Sequence, residues 1–119
     1  VINQLLVQTI MEEIGFETEL AENGKIAIDL VEKNNYDLIL MDLQMPKMNG
    51  WEATKHIRNK IGLPKSKIPI IALTADVTPK NIAKCHEIGM NAYVSKPINE
   101  TDLLQKVTQL VTEKRNTTN

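Results

Sequence analysis

The sequence predicts an α/β domain in which a parallel sheet is covered by helices on both faces. Short apolar runs, typical of strands buried on both sides, alternate along the chain with amphipathic helical patterns. The spacing leaves room for a helix between successive strands, as parallel strands require. The chain has 119 residues, a length that corresponds to one domain with a sizeable core.

The amino-terminal part predicts a helix, a short strand and a second helix. Gly15 is suited to ending the first helix, and residues 16–20 follow as a strand candidate despite two intervening glutamates. Asn23 is suited to capping the second helix. The predicted core faces of the two helices are Leu5, Leu6, Thr9, Ile10 and Ile14, and Ile26, Ala27, Leu30 and Val31.

The middle of the chain predicts two strands on either side of a helix. Residues 36–42 form an apolar run that ends in a carboxylate, which is typical of a buried parallel strand. A helix is expected from about Gly50 to Lys60. Residues 68–73 form the next buried strand, with Pro69 near its start, where a missing N–H costs little.

The remainder predicts helix, strand and helix. Thr78 and Pro79 are a cap and a first helical residue, and Gly89 ends that helix. Residues 92–95 form the last short strand, and Asn99 caps the final helix. The expected core positions of the two helices are Ile82, Ala83 and Ile88, and Leu103, Leu104, Val107, Leu110 and Val111.

The prediction therefore comprises four strands and five helices, with a helix first. Because a doubly wound sheet usually places its central strand first, we expect the chain to be a piece of a longer protein whose first strand precedes Val1. We assign residues 1–115 to an N-terminally incomplete domain and residues 116–119 to a polar tail or linker.

Composition excludes several classes of function. The net charge of −1 indicates neither nucleic-acid nor anionic-membrane binding, and no apolar stretch is long enough to cross a bilayer. The single cysteine, Cys85, excludes an internal disulfide and is typical of a reducing compartment. We expect a cytoplasmic module.

Three polar side chains stand at predicted strand ends. Asp42 and Thr74 end two strands, and Lys96 follows the last. Parallel strands bring their carboxyl ends to one edge of the sheet, where α/β proteins bind ligands. A carboxylate can attack a phosphoryl group, and a lysine and a hydroxyl can stabilise the phosphoryl oxygens. Each residue taken alone is better explained by capping a loop or by solvation, but the three together favour the chemical interpretation.

The chain resembles the receiver domain of two-component response regulators. The resemblance rests on residues 42–46 with Gly50, on residues 72–75 and on Lys96–Pro97, and it is strongest with receivers of hybrid sensor histidine kinases of bacteria. It implies a flavodoxin-like (CheY-like), doubly wound, three-layer α/β/α fold with five strands. It also implies a phosphorelay signalling domain, not an enzyme in its own right, although the parent protein would be a hybrid histidine kinase.

The resemblance also implies a role for each matched residue. Asp42 would accept a phosphoryl group from a phosphohistidine of a kinase or histidine phosphotransfer domain. Thr74 and Tyr93 would form the conformational switch, and Lys96 would contact a phosphoryl oxygen and precede a cis bond to Pro97. Gln44 would offer its backbone carbonyl to Mg²⁺.

One departure concerns the metal. Receivers hold Mg²⁺ with an acidic pair after their first strand, and this chain contains neither the strand nor the pair. Only Asp42 and the Gln44 carbonyl, supplemented by water, remain as ligands. We therefore expect Mg²⁺ binding to be weakened or lost and phosphorylation to be poor. A missing strand also leaves an open sheet edge, which favours a homodimer.

Two alternatives compete with the phosphoacceptor interpretation. A phosphorylation-independent docking module with a receiver-like fold would need no chemistry at Asp42. A phosphatase of the haloacid-dehalogenase type would need a second aspartate two residues after Asp42, where Gln44 stands.

Trp51 is expected to be partly buried, and Cys85 is expected to be structural or solvated. The sequence shows no DNA-binding character.

Overall fold

Three strands form a parallel sheet in the order β1–β2–β3. The computed structural model describes residues 2–21, 23–43, 50–62 and 67–117 and, in these ranges, the side chains between Val7 and Thr112. The strands are β1 (Ile39–Asp42), β2 (Ile70–Thr74) and β3 (Ala92–Ser95). The helices are α1 (Ile2–Glu13), α2 (Gly24–Lys33), α3 (Gly50–Lys60), α4 (Pro79–Ile88) and α5 (Glu100–Thr117).

The predicted helix caps are confirmed. The Asn23 side chain accepts the Ile26 N–H at 3.0 Å, and the Asn99 side chain accepts the Asp102 N–H at 2.9 Å. Thr78 caps α4 ahead of Pro79, and Gly89 ends it at φ 111°, a left-handed conformation that glycine adopts without strain.

The core consists of two apolar layers separated by the sheet. Every residue of β2 is buried, and the strand alternates, with Ile70 and Ala72 on one face and Ile71 and Leu73 on the other. The first layer also includes Ile28 and Val31 of α2, Ala53 and Ile57 of α3, and Cys85 of α4. The second includes Val7, Ile10 and Met11 of α1 and Leu103, Val107, Leu110 and Val111 of α5. The fold is therefore a three-layer α/β/α arrangement, as predicted.

The predicted strand at residues 16–20 is wrong. The sheet of the described residues contains three strands, and this segment is in none of them. Glu17 and Glu19 are exposed and Leu20 is 45% exposed. A strand forms only when a neighbour completes its hydrogen-bond ladder, and no described strand pairs with this segment. A side-chain bond between Tyr36 Oη and Glu19 Oε1, 2.9 Å, connects it to the chain that precedes β1.

The buried face of α2 differs from the predicted one. Gly24, Ile28 and Val31 are buried, whereas Ile26 is 37% exposed. Ile28 and Val31 are three residues apart and share a helix face, and Ile26 projects away from it. The sequence pattern was ambiguous because isoleucines occupy both positions.

The buried positions of α1 also differ from the predicted ones. Val7, Ile10 and Met11 are buried, whereas Thr9 is exposed. The helix ends at Glu13, so Ile14 lies beyond it and is 42% exposed. Leu5 and Leu6 lie outside the described side chains.

Helix α4 contributes less to the core than its pattern predicted. Cys85 is its buried residue, whereas Ile82 and Ile88 are half-buried and Ala83 is exposed.

Among the described residues, no helix combines the length and apolarity needed to cross a membrane.

Candidate functional site

The predicted strand-end residues Asp42 and Lys96 meet at the carboxyl edge of the sheet. Asp42 is the last residue of β1, and Lys96 follows β3 directly. The Lys96 Nζ atom lies 2.8 Å from Asp42 Oδ1, and the two side chains are 14% and 21% exposed, respectively. The pair spans the end of β2, which lies between the two strands. A partly buried ion pair of this kind is stronger than one in open water because less solvent screens it.

Backbone hydrogen bonds continue past the strand ends and hold both side chains in place. The Leu43 N–H donates to the Leu73 carbonyl at 3.1 Å, and the Lys96 N–H donates to the Thr74 carbonyl at 2.8 Å. The peptide bond between Lys96 and Pro97 is cis, which confirms that expectation. The two backbone hydrogen bonds thus place the carboxylate and the ammonium directly at the ends of paired strands.

Gly50 allows α3 to begin directly against the end of β1. A Cβ atom at this position would lie 2.5 Å from the Asp42 carbonyl oxygen and 3.0 Å from the Leu43 Cα. Real side chains do not approach backbone so closely, so only glycine fits here.

Gln44, the predicted source of a metal-binding carbonyl, lies outside the described residues.

The Thr74 hydroxyl is engaged by the turn that follows β2. Thr74 is 2% exposed, and its Oγ1 accepts the Asp76 N–H at 3.0 Å. Asp76 is held in turn, because its Oδ1 accepts the Thr78 hydroxyl at 2.8 Å and its carbonyl accepts the Asn81 amide at 2.6 Å. The hydrogen bonds from Thr78 lower the pKa of Asp76.

Tyr93 lies on β3, three residues before Lys96, and is half-buried. The Lys106 Nζ atom of α5 lies 4.5 Å from the centre of the Tyr93 ring and also donates to the Tyr93 carbonyl. Sequence reasoning did not find this contact, because the two residues lie in different elements.

Trp51 is half-buried, as expected, and it connects two helices. The Lys84 Nζ atom of α4 lies 4.5 Å from the centre of its ring. Because Trp51 follows Gly50 in the first turn of α3, this cation–π contact joins α4 to the start of the helix beside Asp42.

Arg58 organises the opposite edge of the sheet. Its guanidinium donates to the carbonyls of Gly89 at 2.9 Å and Ile68 at 2.7 Å and to the Asn91 side chain at 3.0 Å. Burial lowers the pKa of Arg58. Arg58 is therefore far from Asp42 and fastens α3 to the segments before β2 and β3.

The described residues do not by themselves make a complete magnesium site. Asp42 offers the hard oxygen that Mg²⁺ prefers, but one of its oxygens is held by Lys96. In the part of the chain that the structure describes, no cluster of three or more histidine, cysteine or acidic side chains could hold a metal.

The chain matches the family model of the response regulator receiver domain over residues 1–108. This chain belongs to that family. Receivers are phosphoacceptor signalling domains of two-component and phosphorelay systems, and the relatives that match this receiver include hybrid sensor histidine kinases.

Curated relatives come from several kingdoms. The receiver is 41% identical over 112 residues to hybrid signal transduction histidine kinase B of Dictyostelium discoideum. It is 42% identical over 106 residues to the sensor protein GacS of Pseudomonas syringae. The matches cover 87% and 88% of this chain but only 6% and 12% of those relatives.

Solved receivers share the fold. The receiver domain of a Francisella response regulator superimposes with a TM-score of 0.85 at 31% identity, covering 95% of this chain and 89% of the other. The receiver domain of a Pseudomonas aeruginosa sensor histidine kinase, with a magnesium ion in its active-site cleft, gives 0.84 at 31% identity and covers 93% and 89%. A Saccharomyces cerevisiae receiver, co-crystallised with a histidine phosphotransfer protein, gives 0.86 at 30% identity and covers 95% and 83%.

Proposed function

We propose that Asp42 is the phosphoacceptor of this receiver and that Lys96 stabilises the phosphoryl group on it. The observation that carries the proposal is the 2.8 Å contact between Lys96 Nζ and Asp42 Oδ1. A lysine held there is already placed to neutralise negative charge that develops on phosphoryl oxygens, so no reorganisation is needed during the reaction.

The transfer exchanges one bond to phosphorus for another. An Asp42 carboxylate oxygen attacks the phosphorus of a phosphohistidine, and an O–P bond forms as the N–P bond breaks. The imidazole nitrogen leaves with the electron pair of that bond. The Lys96 ammonium takes no part in the bond exchange and acts as a fixed charge beside the acyl phosphate.

Thr74 and Tyr93 convert the modification into a change of conformation in this proposal. The Thr74 hydroxyl, which the Asp76 N–H now holds, would donate to a phosphoryl oxygen. Tyr93 would turn inward in response. Both residues lie within three positions of a strand end, so a small shift at the site reaches them directly.

The proposal includes Mg²⁺, which this chain would bind with reduced affinity. Asp42 and the carbonyl of Gln44 would be the protein's contribution to its coordination, and a bound ion would offset charge on the phosphoryl oxygens. Since hard cations bind more tightly as carboxylate ligands increase in number, a single carboxylate supports weak binding and slow phosphorylation.

The partner in this proposal is a histidine kinase or a histidine phosphotransfer domain in the cytoplasm. The co-crystal of a related receiver with a phosphotransfer protein supports the class of partner, and the single unpaired Cys85 is typical of a reducing compartment. The proposal also includes a homodimer in which two copies pair along an unpaired sheet edge.

Intact-mass analysis tests the proposal. The wild-type chain, Asp42→Asn and Asp37→Asn are incubated with Mg²⁺ and acetyl phosphate. Asp37 is an exposed carboxylate near the start of the same strand and is the matched control. We expect a hydrolysable phosphoryl adduct on the wild type and on Asp37→Asn, and none on Asp42→Asn. An adduct that survives in Asp42→Asn would refute the assignment, and no adduct on any variant would favour a docking module.

A further inference from the structure

Lys106 makes two contacts with one residue. Its Nζ atom donates to the backbone carbonyl of Tyr93 and lies 4.5 Å from the centre of the Tyr93 ring. The same ammonium is 3.4 Å from the carboxylate of Asp102, one helical turn earlier on α5. The Lys106 side chain is only 27% exposed. A lysine that merely solvates a helix face has no reason to be held by three groups.

The contact passes around the edge of the sheet. Tyr93 packs against the layer that α2, α3 and α4 cover. Lys106 comes from α5, whose Leu103 and Val107 pack in the opposite layer. Because β3 is an edge strand of the described sheet, no described strand pairs with its outer side, and the long lysine side chain contacts Tyr93 at this edge. Two helical layers are thereby joined at one tyrosine.

We propose that Lys106 is a positioning residue that holds the Tyr93 ring in its present orientation and thereby opposes phosphorylation of Asp42. This inference rests on the proposed function, in which Tyr93 turns when Asp42 is modified. An ammonium over an aromatic face is attracted by the ring's quadrupole, and a turn of the ring loses that attraction. The bond to the Tyr93 carbonyl persists, because the backbone of β3 does not need to move.

The coupling is reciprocal. A group that draws Lys106 away from the ring would make Tyr93 easier to turn, and phosphorylation of Asp42 would make Lys106 easier to draw away. Asp102 is the described group placed to do this, because it pairs with the same ammonium. An acidic side chain of a docking partner would act in the same direction.

The test compares Lys106→Met, which removes the charge, with Lys106→Arg, which keeps a cation that stacks on aromatic rings. Lys55→Met is the matched control, because Lys55 is exposed on α3. Two readouts are needed. Tyrosine-labelled NMR follows the ring of Tyr93 in the unphosphorylated chain, with Tyr36→Phe assigning the two tyrosines, and intact mass follows the rate at which the adduct with acetyl phosphate forms.

We expect Lys106→Met to shift and mobilise the Tyr93 ring signals and to raise the rate of adduct formation about two- to fivefold, the factor that corresponds to an exposed cation–π contact. Lys106→Arg should restore both readouts, and Lys55→Met should leave both at wild-type values. Should Lys106→Met not fold, Lys106→Gln replaces it. Glutamine still donates to the Tyr93 carbonyl but places no charge over the ring.

Two results would overturn the inference. One is an unchanged Tyr93 ring signal when the charge is removed, and the other is a neutral variant that behaves like Lys106→Arg in the phosphorylation rate. Failure of the proposed function looks different. In that case no variant gains an adduct, while the ring signal of Tyr93, measured without phosphoryl donor, still decides whether Lys106 holds it.

Discussion

Lys96 and Asp42 are 54 positions apart in sequence, and their side chains are 2.8 Å apart in space. The parallel register produces this contact, because it aligns the carboxyl end of β1 with β2 and that of β2 with β3. Each side chain keeps some access to solvent. In the proposed function, this exposure leaves room for a phosphoryl donor, which a fully buried pair would exclude.

Replacing Lys96 separates its chemical and structural contributions. We expect Lys96→Met to lower the rate of phosphorylation by about 100-fold, the usual effect of removing one group that stabilises developing charge. Unfolding free energy should fall by only about 1–2 kcal/mol, between the values for exposed and buried pairs. Lys96→Arg, which keeps the charge, should retain the stability. A wild-type phosphorylation rate in Lys96→Met would contradict the role assigned to the ammonium.

Gly50→Ala tests the close approach of α3 to β1. The added Cβ would meet the Asp42 carbonyl oxygen at 2.5 Å, so the helix must move or the strand end must bend. We expect a loss of about 2 kcal/mol in urea unfolding and slower phosphorylation, because Asp42 moves with its carbonyl. Asn59→Ala, an exposed change on the same helix, should be neutral or slightly stabilising. Equal stability of the two variants would show that the contact is easily relieved.

Cys85 predicts a dependence of stability on pH. The thiol is buried in α4, and burial raises its pKa above the ordinary 9.0. Above that pH the unfolded chain loses a proton that the folded chain retains, so stability is full below about pH 9 and falls as the pH rises, by at most about 1.4 kcal/mol per unit.

Cys85→Ala should flatten this slope while costing about 1 kcal/mol at neutral pH for the lost sulfur packing. Urea unfolding at a series of pH values up to about 10, in the wild type and in the variant, measures both effects, because the difference between the two slopes isolates the thiol. A slope that is the same in the variant and the wild type would assign the pH dependence to another group.

Among the secondary-structure elements, α4 depends for its stability on the hydrogen bonds of its first turn. The Thr78 side chain accepts the Asn81 N–H and donates to Asp76, so one hydroxyl connects the helix to the turn that holds Thr74. The helix buries only Cys85, and its packing therefore adds little. An element with few buried contacts is the part of a fold that changes position most readily.

Thr78→Ala should destabilise the chain by about 1 kcal/mol, the usual value of an N-cap side chain. The matched control is Thr108→Ala, an exposed threonine inside α5, which should gain a few tenths of a kcal/mol from alanine's higher helix propensity. Thermal unfolding compares the two. If Thr78→Ala were as stable as the control, the cap would not be what starts α4.

At the scale of the whole molecule, the sheet is most stable at its central strand, β2. The Cα radius of gyration is 13.3 Å, close to about 13.5 Å for a compact chain of this length. Every residue of β2 is buried between two layers of helices. The segment at residues 16–20 has no ladder partner among the described strands.

Hydrogen exchange should reveal this difference in stability. We expect the amides of Ile70–Thr74 to exchange only with global unfolding, and those of residues 16–20 to exchange at least about 100-fold faster, through local opening. The amides of Ile39–Asp42, in a strand with β2 on one side, should lie between the two. Equal protection of residues 16–20 and β2 would show that the first segment is paired after all.

Much of this receiver's fold could be predicted from its sequence because it depends on interactions between residues that are close together in the chain. The caps at Asn23, Thr78 and Asn99 follow from side chains that bond to backbone within three residues. The apolar runs that end at Asp42 and Thr74 indicated buried parallel strands, and parallel strands were expected to bring Asp42, Thr74 and Lys96 to one edge of the sheet. The one strand predicted in error, at residues 16–20, is the one whose formation depends on a partner and not on its own pattern.

The tertiary structure alone decided how distant side chains pair. The three bonds of Arg58, the contact of Lys84 with Trp51 and that of Lys106 with Tyr93 join residues from different elements. No periodicity encodes them, because long lysine and arginine side chains reach in many directions and only the packed helices select one. The choice of Ile28 over Ile26 for the core was settled in the same way, by the rotation of α2 against the sheet.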